Sequence, residues 1–290
     1  MPPMNDSVIF DRRAVRQHRD RAARQVGSVT AILDEAAERL LDRLDDTTYR
    51  FAAALDIGGR GVVAPRLRGR GIDSVISCDL SPDMARLNGT PCLCADEEWL
   101  PFGPGAFDLV VANLSLHWVN DLPGALAQIR HALKPDGLFL ASLPVRPSLS
   151  GLRHALTEAE CALLGGASPR VSPFPDLRDC ASLLQRAGFA LPVADADTIT
   201  LDYRTPMGLL RDLRAAGETN ALTLRSRRFA PVSLFPAALA DLASSDGDTH
   251  LTVPLRLAIM TGWAPDAGQP KPLRPGQFTT PLEDVLKNMK

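Results

Sequence analysis

The stretch ALDIGGRGVV, residues 54–63, limits what this chain can fold into more than any other. An apolar run closed by an acid, followed by Gly58, Gly59 and Gly61 and then by "VVAPRLRG", reads as a strand that enters a helix through a tight turn. Glycine belongs there because some turn positions need positive φ and because a ligand can then approach the backbone. Amide groups and a helix N-terminus face that ligand. Arg60 and Val62 stand where an uninterrupted DxGxGxG turn has glycine, so the turn alone does not name its ligand.

The same order repeats downstream. "SVISCDL", "PCLCA", "FDLVVANL" and "GLFLASLP" read as strands, with "SPDMARL" and "DLPGALAQIRHAL" as helices between them. Strands alternating with helices predict an α/β fold whose mostly parallel sheet is covered on both faces. Ser81 with Pro82 starts one helix, and Pro123 behind Asn120 or Asp121 starts another. "KPDG" at 134–137 is expected to stop that second helix and turn the chain into the next strand. Upstream, Val26, Val29, Ile32, Leu33, Ala36, Leu40 and Leu44 recur at helical spacing within 8–45. Downstream come a helix near 149–164, a proline-rich loop, a helix ending at Gly188, a strand "ADTITLDY", a helix from Thr205 and Pro206, and a late strand "LTVPLRLAIMTGW". The expected organisation is an N-terminal helical segment (1–48), one domain (49–264) and a proline-rich tail (265–290). Within the domain the core is 49–145, a helical insertion 146–190 and closing strands 194–263.

Three acids close three successive strands: Asp56, then Asp79 after 23 residues, then Asp96 after "PCLCA". An acid about 20 residues past a glycine turn is placed to accept hydrogen bonds from ribose hydroxyls, and Asp96 to receive an exocyclic amine. Each acid alone is an ordinary strand-closing residue; the joint pattern points to a nucleoside. In an open parallel sheet the ligand lies beyond the carboxyl ends of the strands where strand order reverses. The strand ending in "ANLSLHWVNDL" therefore brings Asn113, Ser115, His117 and Trp118 near that crevice. His117 is a candidate proton carrier or a structural histidine, and Trp118 a candidate flat wall or packing.

Composition removes several classes. With 32 basic against 34 acidic residues and a formal charge of −2, the chain as a whole has no pull toward nucleic acid or anionic membrane. No apolar run reaches the roughly 20 residues a membrane helix needs. The arginine-rich start at 10–25 contains Asp11 and Asp20 and is read as mature protein, not a leader. Of the odd set of five cysteines, Cys78, Cys92 and Cys94 fall in runs expected to be buried strands, and no metal site is expected.

These residues resemble the class I S-adenosylmethionine-dependent methyltransferases, a Rossmann-like fold with an antiparallel hairpin at the sheet edge. The resemblance implies S-adenosylmethionine as cofactor, with Asp56, Gly58, Gly59, Gly61, Asp79, Leu80, Asp96, Glu97 and Asn113 around it. "IFDRRAVRQHRDRAA", "ADEEWLPF", "FDLVVANLSLHWVNDLPGAL", "VSPFPDL" and "GWAPDAGQPKPLRPG" look more narrowly like the complex I assembly factor 5 family and its bacterial relatives. Relatives read like "DLGCGRG" where this chain has "DIGGRG", one residue shorter. That family implies a protein partner, a complex I subunit carrying an iron-sulfur centre, whose arginine is hydroxylated. It also implies a bacterial cytoplasmic protein, with room for peripheral contact with the inner membrane, or a matrix protein in a eukaryote.

On this reading His117 and Asn113 are the catalytic candidates. Trp118, Asp121 and Glu98 are the substrate candidates, the acids there to meet a guanidinium. Two other readings stay open: a methyltransferase acting on a small molecule or a carrier protein, with Arg225, Arg227 and Arg228 as docking face, and an assembly scaffold without chemistry.

Overall fold

The computed structural model describes residues 8–89, 91–245 and 251–270. Two helices open it, α1 (Arg12–Ala22) and α2 (Thr30–Leu41). Then come β1 (Ala53–Ile57), α3 (Val63–Gly69), β2 (Ser74–Asp79), α4 (Pro82–Leu87), β3 (Cys92–Cys94), β4 (Phe107–Asn113), α5 (Leu122–Ala132) and β5 (Leu133–Pro144). The remainder is α6 (Ser150–Leu164), α7 (Leu177–Arg186), β6 (Ala190–Tyr203), α8 (Pro206–Ala215), α9 (Leu234–Ser245) and β7 (Leu251–Trp263). The seven strands form one sheet in the order β3-β2-β1-β4-β5-β7-β6.

The first five strands pair in parallel, and β7 runs antiparallel between β5 and β6, as the α/β reading with an edge hairpin expects. Order reverses at β1, whose neighbours are β2 and β4. Alternation along β4 shows why both faces must be covered. Leu109 and Val111 pack with Leu33 and Leu40 of α2 and Leu67 of α3; Val110 and Ala112 pack with Leu126 and Ile129 of α5 and Leu184 of α7. A third apolar cluster joins α6, α8 and α9 to Tyr203, Leu251 and Val253.

Several expectations need correction. The periodic segment 8–45 is two helices, because residues 23–25 form a turn and Val26–Val29 a short 3-10 helix. "KPDG" does not precede β5 but interrupts it: Leu133 pairs with Phe107, Asp136 takes φ 59°, and pairing resumes at Leu138 with Leu109. Cys78 is buried, but Cys92 is half-buried and Cys94 exposed, since β3 is the three-residue edge of the sheet. Helix α9 has no counterpart in the sequence reading. Of the proline-rich tail, residues 271–290 lie outside the described residues. Among the described residues no helix is long and apolar enough to cross a membrane.

Candidate functional site

The glycine turn closes β1 tightly. Gly58 (φ 67°) donates its N–H to Cys78 O at 2.7 Å, and a Cβ built on it would lie 2.5 Å from Ser115 Cβ. A Cβ on Gly59 would lie 2.0 Å from Asp56 Oδ2. Close packing therefore fixes glycine at both places. Arg60 takes φ 49°, so its backbone does what a glycine would do there, at a cost of roughly 1–2 kcal/mol. Its buried guanidinium offsets that cost by donating to Leu114 O at 3.0 Å and to Glu218 Oε1 at 2.6 Å.

The strand-closing acids come together, and two arginines of α1 meet them. Asp79 ends β2 fully buried, its Oδ1 accepting from Ser81 N at 2.7 Å and facing Arg19 Nη1 at 3.4 Å, its Oδ2 without a partner. Glu97 Oε1 accepts from Arg19 Nη1 at 2.6 Å, and its Oε2 from Arg12 Nη2. Asp96 Oδ1 accepts from Arg12 Nη2 at 2.6 Å. Leu80 packs with Phe10, Val15 and Trp118. Burial pushes the Glu97 carboxyl up, but Arg19 and Arg12 outweigh it and hold it at about 2. Burial raises Asp79, because Arg19 sits farther from it. Burial pushes Asp56 up to about 7, outweighing the hydrogen bonds from Ser77 Oγ at 3.3 Å and the Ala64 backbone, and its Oδ1 has no side-chain hydrogen-bond partner.

Beyond β4 the chain makes a 3-10 turn, Leu116–Trp118. One oxygen of Glu218, Oε2, lies 2.7 Å from His117 Nε2 and 2.6 Å from Trp118 Nε1. Burial raises the Glu218 carboxyl, but His117 and Arg60 pull it far below the usual carboxylate range, so it accepts only. The proton of the His117–Glu218 bond therefore sits on Nε2, and Nδ1 is left buried without a partner. Arg60, His117, Trp118 and Glu218 line one end of a cavity of about 400 Å³. Its remaining wall is mostly apolar, including Leu33, Leu152, Phe174 and Leu213. Asp56, Asp79, Asp96 and Glu97 do not line it.

Three predicted residues do other work. Asn113 donates from Nδ2 to Leu33 O at 3.1 Å and accepts at Oδ1 from Ser142 Oγ at 2.8 Å, tying α2 to the sheet. Asp121 caps α5 by accepting from Gly124 N at 2.9 Å, and Glu98 accepts from Asn120 N at 2.6 Å; neither lines the cavity. Arg225, from the suggested docking face, pairs with Asp11 at 2.8 Å. The sequence reading missed Arg12, Arg19 and Glu218. A charged residue in a polar helix, or one following Gly217, carries no local signal of a partner far along the chain.

The fold and this geometry can be set beside known proteins. A methyltransferase domain family matches residues 55–141, the segment that holds the glycine turn and all three strand-closing acids, Asp56, Asp79 and Asp96. The arginine-hydroxylase NDUFAF5, mitochondrial, of Danio rerio is 34% identical over 288 residues, covering 96% of this chain and 90% of that protein. A malonyl-[acyl-carrier protein] O-methyltransferase of Halorhodospira halophila is 34% identical over 226 residues, covering 74% of this chain and 75% of that one. The YcgJ protein of Bacillus subtilis shares the fold, with a TM-score of 0.54 and 15% identity over 79% of this chain and 100% of that one. Because the likeness to the first of these runs far outside the matched domain, through 96% of the chain, the chain belongs to the family of methyltransferase-fold enzymes that includes the NDUFAF5 arginine-hydroxylases and the malonyl-[acyl-carrier protein] O-methyltransferases.

Proposed function

We propose that this chain binds S-adenosylmethionine and modifies a protein side chain, an arginine of an iron-sulfur subunit, during assembly of respiratory complex I. One observation carries the cofactor reading: Asp79 closes β2 beside the point of strand reversal with its Oδ2 buried and unpartnered. That is an acceptor of the kind ribose hydroxyls require. Asp96 and Glu97 follow β3 on the adenine side, and Gly58, Gly59 and Gly61 flank the amino-acid end. The match of residues 55–141 to a methyltransferase domain supports the same assignment. When bound, the cofactor supplies an electrophilic methyl group on a sulfonium centre.

The substrate reading rests on the relatives named arginine-hydroxylase and on Glu218. A carboxylate has about four lone-pair sites. Glu218 accepts from Arg60, His117 and Trp118, which leaves Oε1 able to take one more donor at the wall of the cavity. A guanidinium fits that need, with its aliphatic stem against the apolar wall. Mass spectrometry of complex I iron-sulfur subunits from cells with and without this protein tests the reading. A gain of one oxygen or one methyl group on an arginine, present only with the protein, is expected; identical arginines in both rule it out.

A second reading, methylation of a carrier-bound acyl group, is favoured by the malonyl-[acyl-carrier protein] O-methyltransferase relatives and by the apolar cavity. Methyl transfer to a malonyl thioester on carrier protein distinguishes it.

A further inference from the structure

The segment between α8 and α9 meets the cavity at both ends. Glu218, Thr219 and Asn220 line the cavity from its start, and Phe235, in the first turn of α9, lines it from its end. Both ends are also held in place. Ala221 and Leu222 are buried with Phe10 and Trp118, Asn220 Nδ2 donates to Pro169 O at 2.9 Å, and Leu234 is fully buried. Between these anchors the chain turns outward: Leu224 is 65% exposed, Val232 94%, and Phe229 wholly. Val8 and Ile9, exposed as well, lie beside it, since Thr223 donates from N to Ile9 O at 2.9 Å and from Oγ1 to Val8 O at 3.0 Å.

A single apolar side chain on a surface is ordinary, but a group of them left in water carries a cost that burial against another body removes. The same stretch is basic. No acid occurs between Glu218 and Asp241, while Arg225, Arg227 and Arg228 fall between them. Asp11 takes up Arg225 at 2.8 Å. Arg227, 75% exposed, faces the same acid at 3.8 Å, and Arg228 is exposed. Aromatic residues and arginine are enriched at protein–protein contacts, and an apolar tip flanked by cations fits an apolar face with acids around it. A target side chain that enters the cavity arrives on a protein, and that protein must rest on the chain that frames the cavity.

We propose, on the arginine reading of the cavity, that residues 224–232 dock the protein whose arginine is modified. Phe229 and Val232 supply the apolar contact, and Arg227 and Arg228 meet acids of the partner.

Two measurements on the full chain test this. In cells, a photoreactive benzoylphenylalanine replaces Phe229, and the polypeptide it captures on irradiation is identified by mass spectrometry. The expected catch is the polypeptide whose arginine gains mass only when this protein is present. The double variant Phe229→Ser, Arg227→Glu is expected to lower the modified fraction of that arginine about tenfold or more, the size of a contact hot spot. Its melting temperature is expected to match the parent's, because both side chains stand in solvent. Capture of phospholipid alone, of this chain alone or of an unrelated protein, or no capture, overturns the inference and leaves the arginine reading intact, as does an unchanged modified fraction in the variant. If no arginine depends on this protein, that reading and the docking surface fail together. Should the double variant not fold, the capture decides alone.

Discussion

Arg60 Nη2 lies 2.6 Å from Glu218 Oε1, joining the glycine turn after β1 to the loop after α8. The Arg60 side chain is 2% exposed and that of Glu218 17%. Removing the acid strands a buried cation, the costly way to break such a pair. Glu218→Ala is expected to lose about 3–5 kcal/mol of stability in urea unfolding. Glu218→Gln, which keeps the acceptor oxygen, is expected to lose less. Equal stability of Glu218→Ala and the parent would show that the pair does not hold the turn.

His117 gives a sharper local test. Since Nε2 donates to Glu218, nitrogen NMR is expected to show the Nε2–H tautomer for the neutral imidazole. In Glu218→Gln the amide can also donate, and the tautomer preference is expected to weaken. An Nδ1–H tautomer in the parent protein contradicts the hydrogen-bond assignment.

Asp56 makes stability depend on pH. Its carboxyl goes from an ordinary 3.8 to about 7 on folding, so between those values the native state holds a proton that the unfolded chain does not. Stability contributed by this group is therefore whole below about pH 4, falls as pH rises through 7, and stays low above it. The full difference is on the order of 4 kcal/mol at 1.36 kcal/mol per unit. Asp56→Asn, which cannot ionise, is expected to gain melting temperature over the parent at pH 8 and little at pH 4. Parallel curves for the two proteins would mean that Asp56 does not titrate in this range.

Asp79 separates chemistry from scaffolding. Asp79→Ala expressed in a strain lacking this protein is expected to leave complex I unassembled while the variant itself accumulates. Full restoration of complex I would assign the protein a structural role in assembly.

The acids were legible because each closes a strand, and a strand end is a local event: an apolar run stops at Asp56, at Asp79, and just before Asp96. The same local logic found β6 and β7 as strands, while their antiparallel pairing was implied by the family resemblance. It failed for "KPDG", where pairing with β4 on both sides of the turn keeps one strand continuous, and for Cys94, whose burial depends on β3 being the sheet edge. It did not show the partners of Asn113, Asp121 and Glu98, which are set by neighbouring elements.

What the sequence determined by itself is the alternation of strands and helices, the glycines of the turn and the acids beyond them, because steric and periodic preferences act over a few residues. Only the tertiary structure decided who meets those acids. Arg19 reaches Asp79 and Glu97 across 60 and 78 residues, and Arg60 reaches Glu218 across 158. Ion pairs at such separations leave no periodic trace, since charge attracts through space and any arginine serves until the packing of α1 and the loop after α8 selects one.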